Sequence, residues 1–255
     1  MSQDNQAKVQ DYDEFVDWDK RLANEGPFYR QLFEDNGVQS VIDMGAGSAR
    51  HSIMFATWGL DVVAVDPDES MLAAARRNLE RFAQDISVER GAFGELHGME
   101  LGRVDALVCA GNALPHVAGR DGLTETLADF ASAVAPGGVL ILHLLNHDRL
   151  LRARSTTIPT KVRAGEQGTK VFVRITDFTE GDEFIDFDFV TLFRDPAGAW
   201  SLTNRRSPHT VITADILARE LPCTGFADLE VYGDHTWRQL DVDKDESIIA
   251  VAWRR

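Results

Sequence analysis

Short apolar runs alternate with amphipathic stretches between Val38 and Leu145. The apolar runs read VQSVIDM, DVVAVD, ISVERG, VDALVCAG and GVLILHLLN, and each is a candidate strand. The stretches between them, such as SARHSIMFATWG and DESMLAAARRNLERFA, repeat apolar residues at helical spacing. LTETLADFASAVA continues the series, and Pro136-Gly137-Gly138 is expected to end that helix and turn the chain into the fifth strand. Strands that alternate with helices predict a doubly wound, mostly parallel sheet.

The periodicity changes after Asn146. TKVFVRITDFTEG, DEFIDFDFVTLFRD and GAWSLTNRRSPHTVI alternate apolar with polar residues, which predicts an antiparallel meander that caps one edge of the sheet. A short helix, TADILAREL, and two strands, FADLEVYG and ESIIAVAWRR, follow. Because no crossover helix separates these last strands, at least one must be antiparallel. The predicted fold class is therefore α/β, with a seven-stranded mostly parallel Rossmann-like sheet and an antiparallel β-meander cap.

The order of these patterns divides the chain into four parts. Residues 1–36 form a predicted helical lid, 37–150 the ligand-binding core, 151–212 the β cap, and 213–255 the helix and strands that complete the sheet. In the first part, Tyr12, Phe15, Trp18 and Leu22 recur at helical spacing. This segment is either an ordinary amphipathic helix on the core or a lid whose Tyr12 and Arg21 point inward.

The amino-acid composition limits the classes of binding partner that we expect. The 255 residues contain 41 Asp and Glu against 26 Lys and Arg, so the net charge of −15 would repel a nucleic-acid backbone. Cys109 and Cys223 lack metal-ligand spacing, which favours reduced thiols in an intracellular protein and no metal. No apolar run is long enough to span a bilayer. We expect a cytoplasmic protein with a small-molecule partner, and the oligomeric state stays open.

The loop after the first predicted strand carries the candidate chemistry. Asp43 precedes Gly45-Ala46-Gly47, and Asp66 ends the second strand. In an open α/β sheet, ligands lie at the carboxyl ends of the strands. Small residues let the backbone approach a ligand closely, and a carboxylate at Asp66 can accept hydrogen bonds from both ribose hydroxyls. The pattern indicates a nucleoside-containing ligand. The alternative is that the glycines form only a tight strand-to-helix turn and that Asp66 is only a helix cap.

Two residues decide between a dinucleotide and S-adenosylmethionine. A dinucleotide fingerprint, G-x-G-x-x-G, would need glycine where Arg50 stands. Asp43 would repel a pyrophosphate, whereas it suits the cationic amino group of a methionine moiety. The residues therefore favour S-adenosylmethionine, and an NAD-dependent oxidoreductase is the weaker alternative.

These motifs resemble those of class I S-adenosylmethionine-dependent methyltransferases. DMGAGSA resembles their D-x-G-x-G-x-G motif, with Ala49 in place of the third glycine. VVAVDPDESML is similar to their acidic second-strand loop, and AVAPGGVLIL to their PGG segment before strand five. The resemblance covers residues 38 to 146 and implies S-adenosylmethionine as the cofactor.

A closer resemblance is to the glycine N-methyltransferase branch of small-molecule enzymes. CAGNALPHV resembles that branch's strand-four loop, in which an Asn faces the substrate, and LLNHDRLL its strand-five segment. Arg21 falls on the arginine that holds the methionine carboxylate. The cofactor site implied by the resemblance comprises Arg21, Asp43, Gly45, Ala46, Gly47, Asp66, Pro67, Met71, Ala92, Phe93 and Ala110.

The chain departs from that branch at two positions. Leu145 stands where glycine N-methyltransferases have an arginine that clamps the substrate carboxylate, which argues against glycine itself as the acceptor. Ala92 stands where many relatives have an aspartate near the adenine amino group. Backbone groups and Phe93 are expected to hold the adenine instead.

Candidate catalytic residues follow strand four. The side-chain carbonyl of Asn112 could orient an amine or hydroxyl near the methyl group, and His116 could accept a proton. Their alternatives are a loop-stabilising Asn and a capping or surface His. His143 is expected to be a sheet residue, whereas His147 and Asp148 follow strand five at the ligand edge. The predicted substrate-binding set is Tyr12, Asn112, His147, Arg205 and Arg206.

Methyl transfer from a sulfonium needs alignment of the nucleophile and exclusion of water more than it needs a catalytic dyad. No nucleophile elbow or metal motif indicates another reaction. The sequence therefore predicts a methyltransferase for a small soluble acceptor, with N-methylation favoured. A small-molecule O-methyltransferase and a non-catalytic nucleoside-binding sensor are the alternatives.

Overall fold

A computed structural model describes residues 13–255, so Tyr12 lies outside the described residues. The strands are β1 Ser40–Met44, β2 Asp61–Asp66, β3 Ser87–Arg90, β4 Val104–Cys109, β5 Val134–Leu145, β6 Thr157–Gly165, β7 Gly168–Phe178, β8 Phe184–Arg194, β9 Trp200–Thr210, β10 Phe226–Tyr232 and β11 Ser247–Arg254. The helices are α1 Trp18–Asp35, α2 Arg50–Thr57, α3 Glu69–Phe82, α4 Gly119–Ala133, α5 His147–Ala153 and α6 Ala214–Thr224. Short 3₁₀ turns cover Leu96–Gly98, Leu114–His116 and Glu180–Asp182.

The larger sheet has seven strands in the order β10-β11-β5-β4-β1-β2-β3. Strands β1 to β5 are parallel to one another, and β11 runs antiparallel to both β5 and β10. This confirms the predicted mostly parallel sheet and the antiparallel tail. A seven-stranded sheet with crossovers in both directions covers both of its faces with helices.

Two apolar clusters fill the two sides of this sheet. On one side, Phe28 and Tyr29 of α1 and Phe55 of α2 pack on Val41 and Val108 of the sheet. On the other, α4 and α6 bury Phe130 and Leu217 against alternate residues of the same strands. Adjacent strand positions point to opposite faces, so each buried strand supplies both cores.

The PGG segment differs from its prediction. Helix α4 ends at Ala133 and β5 begins at Val134, so Pro136-Gly137-Gly138 lies inside the strand. The register of β4 with β5 shifts there, from Val104 opposite Val134 to Ala106 opposite Val139. Gly137 has a φ of +81°, which permits the bulge. The segment is therefore a bulge that follows a direct helix-to-strand connection.

The smaller sheet is antiparallel, with the order β6-β7-β8-β9. The sequence predicts three of its strands and misses β6, whose TIPTKVRAG is mostly polar and contains proline. On β8, Ile185 and Phe187 are buried, while Asp186 between them pairs with Arg206 on the opposite face. This sheet is the cap. None of the helices within residues 13–255 is long and apolar enough to cross a membrane.

Candidate active site

The loops after β1 and β4 meet at the point where the strand order reverses. Strand β1 lies between β2 and β4, so their carboxyl ends form a crevice. Gly45 has a φ of +75°, and a Cβ built on it would lie 2.7 Å from the Cβ of Ala113. Only glycine fits this approach, which leaves backbone of both loops facing the crevice.

Asp66 holds the glycine loop in shape. One carboxylate oxygen accepts a hydrogen bond from the backbone N–H of Gly47 over 2.9 Å, and the other accepts from the N–H of Asp68 over 2.9 Å. Gly45 and Ala46 both donate to the carbonyl of Val65. The end of β2 is thus tied to the loop after β1 by side chain and backbone, as a preformed ligand cradle requires.

Asp43 is less accessible than its predicted role suggests. Only 2% of the residue is exposed, and its carboxylate accepts a hydrogen bond from the Ser52 hydroxyl over 2.5 Å. Burial raises the pKa of Asp43, while the nearby His51 and the Ser52 hydrogen bond oppose this effect. The carboxylate therefore lies behind the loop, where it adds negative potential under the crevice.

The segments predicted to enclose the adenosine lie at the ends of β2, β3 and β4. The carbonyl of Pro67 accepts from Arg90, and Met71 and Ala110 are nearly buried. Position 92 is an alanine, and its backbone N–H donates to the Glu95 carboxylate over 2.8 Å. The ring of Phe93 packs edge-on against Phe130, with ring centroids 6.0 Å apart.

A buried charge cluster lies beside this crevice on α1. Glu25 accepts a hydrogen bond from Arg21 Nε over 2.8 Å, and its other oxygen lies 2.7 Å from His51 Nε2. Arg21 Nη2 lies 3.4 Å from His143 Nδ1. Burial alone would raise the pKa of Glu25, but the His51 hydrogen bond and the charge of Arg21 hold it well below its usual range. Glu25 is therefore the anionic centre that positions Arg21.

His235 completes the cluster from the loop before β11. Its Nε2 is buried without a hydrogen-bond partner and lies 4.0 Å from a Glu25 oxygen. Donor atoms of Glu25, His143 and His235 lie within 4.8 Å of one another, a spacing that metal sites share. The Arg21 guanidinium, bonded to the same Glu25, opposes a second cation there. Burial lowers the pKa of His143 to about 3 and that of His235 to about 4.

A cavity of about 1400 Å³ extends from the Gly111-Asn112 loop to the cap. Its walls come from the start of α1, from β5, from the loop before β11 and from one face of the cap sheet. The lining includes Phe15, Arg21, Glu25, Asn112, His116, His143, Arg149, Lys161, Arg174, Phe187, Phe189, Arg205, His209, His235 and Glu246. The cavity is thus large enough for an acceptor well above the size of glycine.

Asn112 and His116 both line this cavity, and their contacts refine the predicted roles. Asn112 has a φ of +66°, and its side-chain oxygen accepts from the Leu145 N–H over 2.9 Å. The oxygen expected to orient the acceptor therefore already joins the β4 loop to β5, as the loop-stabilising alternative predicts. The ring of His116 packs edge-on against His209, with centroids 4.6 Å apart.

The sequence does not identify His209 as a site residue, because alternation along a strand does not show which side chains line a cavity. Its ring stacks on Phe187 with centroids 4.7 Å apart, and its Nδ1 is buried without a partner. Burial, with smaller effects from the neighbouring His116 and His147, lowers the pKa of His209 to about 3. His209 is thus a neutral imidazole on the cavity wall at neutral pH.

His147 lies outside the cavity, contrary to its predicted role as a substrate contact, and the charge of Arg206 is already paired. His147 is 1% exposed and accepts the Ile212 N–H at Nδ1 over 2.9 Å, because α5 begins there and turns the ring away from the cavity. Arg206 binds Asp177, Asp186 and Asp188 at 2.9 to 3.2 Å. Both Arg205 and Arg206 line the cavity, but alternation along β9 turns the Arg206 guanidinium towards the acidic side chains of the opposite face. Asp148 accepts from the Ala214 N–H and likewise holds the tail.

The segment before α1 joins the crevice to the cap. Asp13 accepts hydrogen bonds from Ser48, next to the glycine loop, and from Trp18. The ring of Phe15 packs edge-on against Phe172 and Phe189 of the cap, at 5.6 and 5.2 Å between centroids. Residues 13 to 21 therefore close one side of the cavity.

Comparisons with known proteins agree with this geometry. A family model described as a methyltransferase domain matches residues 41–138. A solved S-adenosylmethionine-dependent methyltransferase from Clostridium acetobutylicum ATCC 824 shares the fold with a TM-score of 0.76 at 13% identity, over 94% of this chain and 92% of that one. The solved S-adenosylmethionine-bound CalS10, an amino pentose methyltransferase from Micromonospora echinaspora, has a TM-score of 0.71 at 18% identity, over 98% of this chain and 97% of that one. Residues 41–138 thus match a methyltransferase domain, and the whole chain shares the fold of solved S-adenosylmethionine-dependent methyltransferases.

Within that class, the sequence is similar to a curated enzyme of the branch suggested by the motifs. Glycine/sarcosine N-methyltransferase from Halorhodospira halochloris is 29% identical over 246 residues, which cover 93% of this chain and 84% of that relative. The predicted resemblance to this branch and the predicted cofactor, S-adenosylmethionine, are confirmed. The crevice fits this cofactor, since it combines a glycine cradle, an acid at the end of β2 and a partly buried arginine, Arg21. S-adenosylmethionine supplies a methyl group already activated on sulfur.

Proposed function

We propose that this enzyme transfers the methyl group of S-adenosylmethionine to the nitrogen of a small amine held in the cavity. The cavity between the cap and the carboxyl ends of β4 and β5 is the observation that carries the proposal. It begins at Gly111-Asn112, beside the proposed cofactor site, and is built for a molecule rather than a polymer. The similarity to a glycine/sarcosine N-methyltransferase supports nitrogen as the acceptor atom.

We assign the cofactor to the loops on the β1 side of the crevice. In this proposal Asp66 accepts the ribose hydroxyls while it keeps its bond to Gly47. Arg21, positioned by Glu25, binds the methionine carboxylate. Pro67, Met71, Ala92, Phe93 and Ala110 surround the adenine and ribose.

The acceptor nitrogen must reach the crevice neutral and with its lone pair directed at the methyl group. His116 and His209 stand on the cavity wall as an edge-to-face pair. A neutral imidazole accepts a hydrogen bond from an amine N–H and orients the lone pair. The amide nitrogen of Asn112 remains available to contact the acceptor after its oxygen has bonded to Leu145.

We further propose that residues 13 to 36 act as a lid over the two ligands. Asp13, Phe15 and Arg21 connect the glycine loop, the cap and the cluster of Glu25. A closed lid excludes water from the sulfonium, which favours transfer to the acceptor over hydrolysis.

Calorimetry and a turnover assay test the proposal together. S-adenosylmethionine and S-adenosylhomocysteine are expected to bind, NAD is not, and a fractionated metabolite extract is expected to release S-adenosylhomocysteine. Binding of both sulfur nucleosides with no release in any fraction would contradict catalysis and favour a sensor. Binding of NAD alone would contradict the cofactor assignment.

A further inference from the structure

The cavity is cationic in a strongly acidic chain. Among the described residues that line it, eight are Lys or Arg and four are Asp or Glu, whereas the whole chain has a net charge of −15. The excess of cations is concentrated on the inner face of the cap sheet. A local reversal of the overall charge attracts an anionic ligand into the cavity.

Lys161 of β6 and Arg174 of β7 lie on this face. The two residues flank the ring of Phe15, with Lys161 Nζ 4.1 Å and Arg174 Cζ 5.1 Å from its centroid. Strand register places Lys161 beside Phe172, and Arg174 beside Ile158 and Phe189, so both side chains share the face that lines the cavity. Two cations thus meet at one aromatic side chain.

Neither cation is neutralised by an ion pair. Within residues 13–255, no carboxylate lies within 4 Å of the charged nitrogens of Lys161 or Arg174, and the Nε of Arg174 is buried without a hydrogen-bond partner. Burial lowers the pKa of both groups, and each lies near the charge of Glu246. A buried donor without a partner costs free energy, so this pair is built for an acceptor that the protein does not provide.

Other cations of the same face are already engaged. Arg163 donates to the carbonyls of Glu14 and Phe15, and Lys170 pairs with the Glu14 carboxylate at 2.9 Å. These two residues fasten the segment before α1 to the cap. Lys161 and Arg174 differ from them because their charged groups line the cavity. Within the described part of the chain, their only carbonyl contact is the long 3.4 Å bond from Arg174 Nη2 to Pro159, which leaves Arg174 Nε without a partner.

We propose that Lys161 and Arg174 bind an acid group of the methyl acceptor. The inference rests on the proposed function and defines the acceptor as an amine that carries a carboxylate or another oxyanion. The acid group sits against the cap, while the nitrogen reaches the loop of Asn112 on the opposite wall. The acceptor is therefore a longer molecule than glycine, with its acid and its amine separated across the cavity.

Matched ligands test this assignment on the S-adenosylhomocysteine complex of the full chain. Glycine, aminobutyrate, aminohexanoate and aminobenzoate are each compared with the corresponding primary amide, at equal concentrations, by saturation-transfer NMR. At least one of the longer acids is expected to bind about tenfold or more tightly than its amide, because a hydrogen bond to a charged group is stronger than one to a neutral group. Equal binding of every acid and its amide would overturn the inference.

Variants then locate the binding group. Lys161→Met and Arg174→Gln are expected to abolish the preference for the acid, and Arg174→Lys to restore part of it. Arg154→Gln is the matched control, since this exposed arginine pairs with Asp182 outside the cavity. An acid preference that survives both Lys161→Met and Arg174→Gln contradicts the assignment. Calorimetry with S-adenosylmethionine on each variant reports the cofactor site separately, so failure of the proposed function is distinguishable from failure of this inference.

Discussion

The carboxylate of Asp66 accepts a hydrogen bond from the Gly47 N–H over 2.9 Å, which joins the end of β2 to the loop after β1. The same residue is the one expected to accept the ribose hydroxyls of the cofactor. In the proposed complex, this one side chain both shapes the cradle and binds the cofactor. Loss of this carboxylate removes the two effects together.

Asp66→Asn is expected to weaken S-adenosylmethionine binding by roughly tenfold to a hundredfold, because hydrogen bonds to a charged acceptor contribute about 1.5–3 kcal/mol each. Asparagine has a single side-chain oxygen, and its NH₂ group cannot accept a hydrogen bond. Either the Gly47 N–H or the Asp68 N–H therefore loses its partner. Calorimetry measures the change, with Glu69→Gln, an exposed acid on the next helix, as the control. Unchanged affinity in Asp66→Asn would exclude this residue from the cofactor site.

Gly45→Ala is expected to reduce cofactor affinity beyond its effect on stability. The new Cβ would lie 2.7 Å from Ala113 Cβ, so the two loops must separate. Gly37→Ala provides the control, since Gly37 has a similar φ of +61° with no atom within 4 Å of the added Cβ. Both changes impose a backbone strain of about 1–2 kcal/mol, which thermal unfolding measures. Equal losses of cofactor affinity in the two variants would contradict the role of this approach.

Helix α1 carries two Arg–Glu pairs with the same four-residue spacing, one with a buried glutamate and one with both side chains exposed. The two pairs therefore compare the effect of a buried charge with that of an exposed charge. Glu25 is 6% exposed and bonds Arg21, whereas Arg30 and Glu34 form an exposed pair at 3.7 Å. Glu25→Gln is expected to destabilise the protein by about 3–5 kcal/mol, because Arg21 loses its buried counterion. Glu34→Gln is expected to cost less than about 1 kcal/mol. Chemical denaturation checks both, and similar losses in the two variants would refute the central role of Glu25.

Buried histidine makes stability depend on pH. Burial lowers the pKa of His147 from 6.5 to about 4, so the folded state binds fewer protons than the unfolded state between these values. The contribution of His147 is present above pH 6.5 and is lost as the pH falls towards 4, by up to roughly 3 kcal/mol at 1.36 kcal/mol per unit. His147→Asn keeps an acceptor for the Ile212 N–H and removes the titration. Denaturation between pH 7 and 4 is expected to show a shallower loss in this variant, and an unchanged slope would contradict the interpretation.

The fold could be predicted because its signals are local. The apolar runs of β1 to β5 and the amphipathic helices between them are each visible within a dozen residues. Strand β6 was not predicted because most side chains of TIPTKVRAG are exposed and its apolar residues do not alternate regularly with polar ones. The PGG bulge in β5 escaped because a proline and two glycines predict a turn as readily as a bulge.

The candidate site could be predicted only where a motif carries it. The loop from Asp43 to Gly47 and the acid at Asp66 have a fixed spacing, and the structure brings them to one crevice. Glu25 and His235, 210 positions apart in the chain, meet only after folding. His147 was assigned to the cavity from its position after β5, but the rotation of α5 decides where its ring lies. Long-range contacts and side-chain direction are properties of the packed chain rather than of any segment.

Transfer of a labelled methyl group tests the central claim most directly. The protein is incubated with methyl-deuterated S-adenosylmethionine and with pairs of acceptors that differ only in nitrogen or oxygen, such as aminobenzoate and hydroxybenzoate, or aminobutyrate and hydroxybutyrate. Mass spectrometry is expected to find the label on the amine of at least one pair, with S-adenosylhomocysteine released in equal amount. Label on the hydroxyl compounds alone would contradict N-methylation.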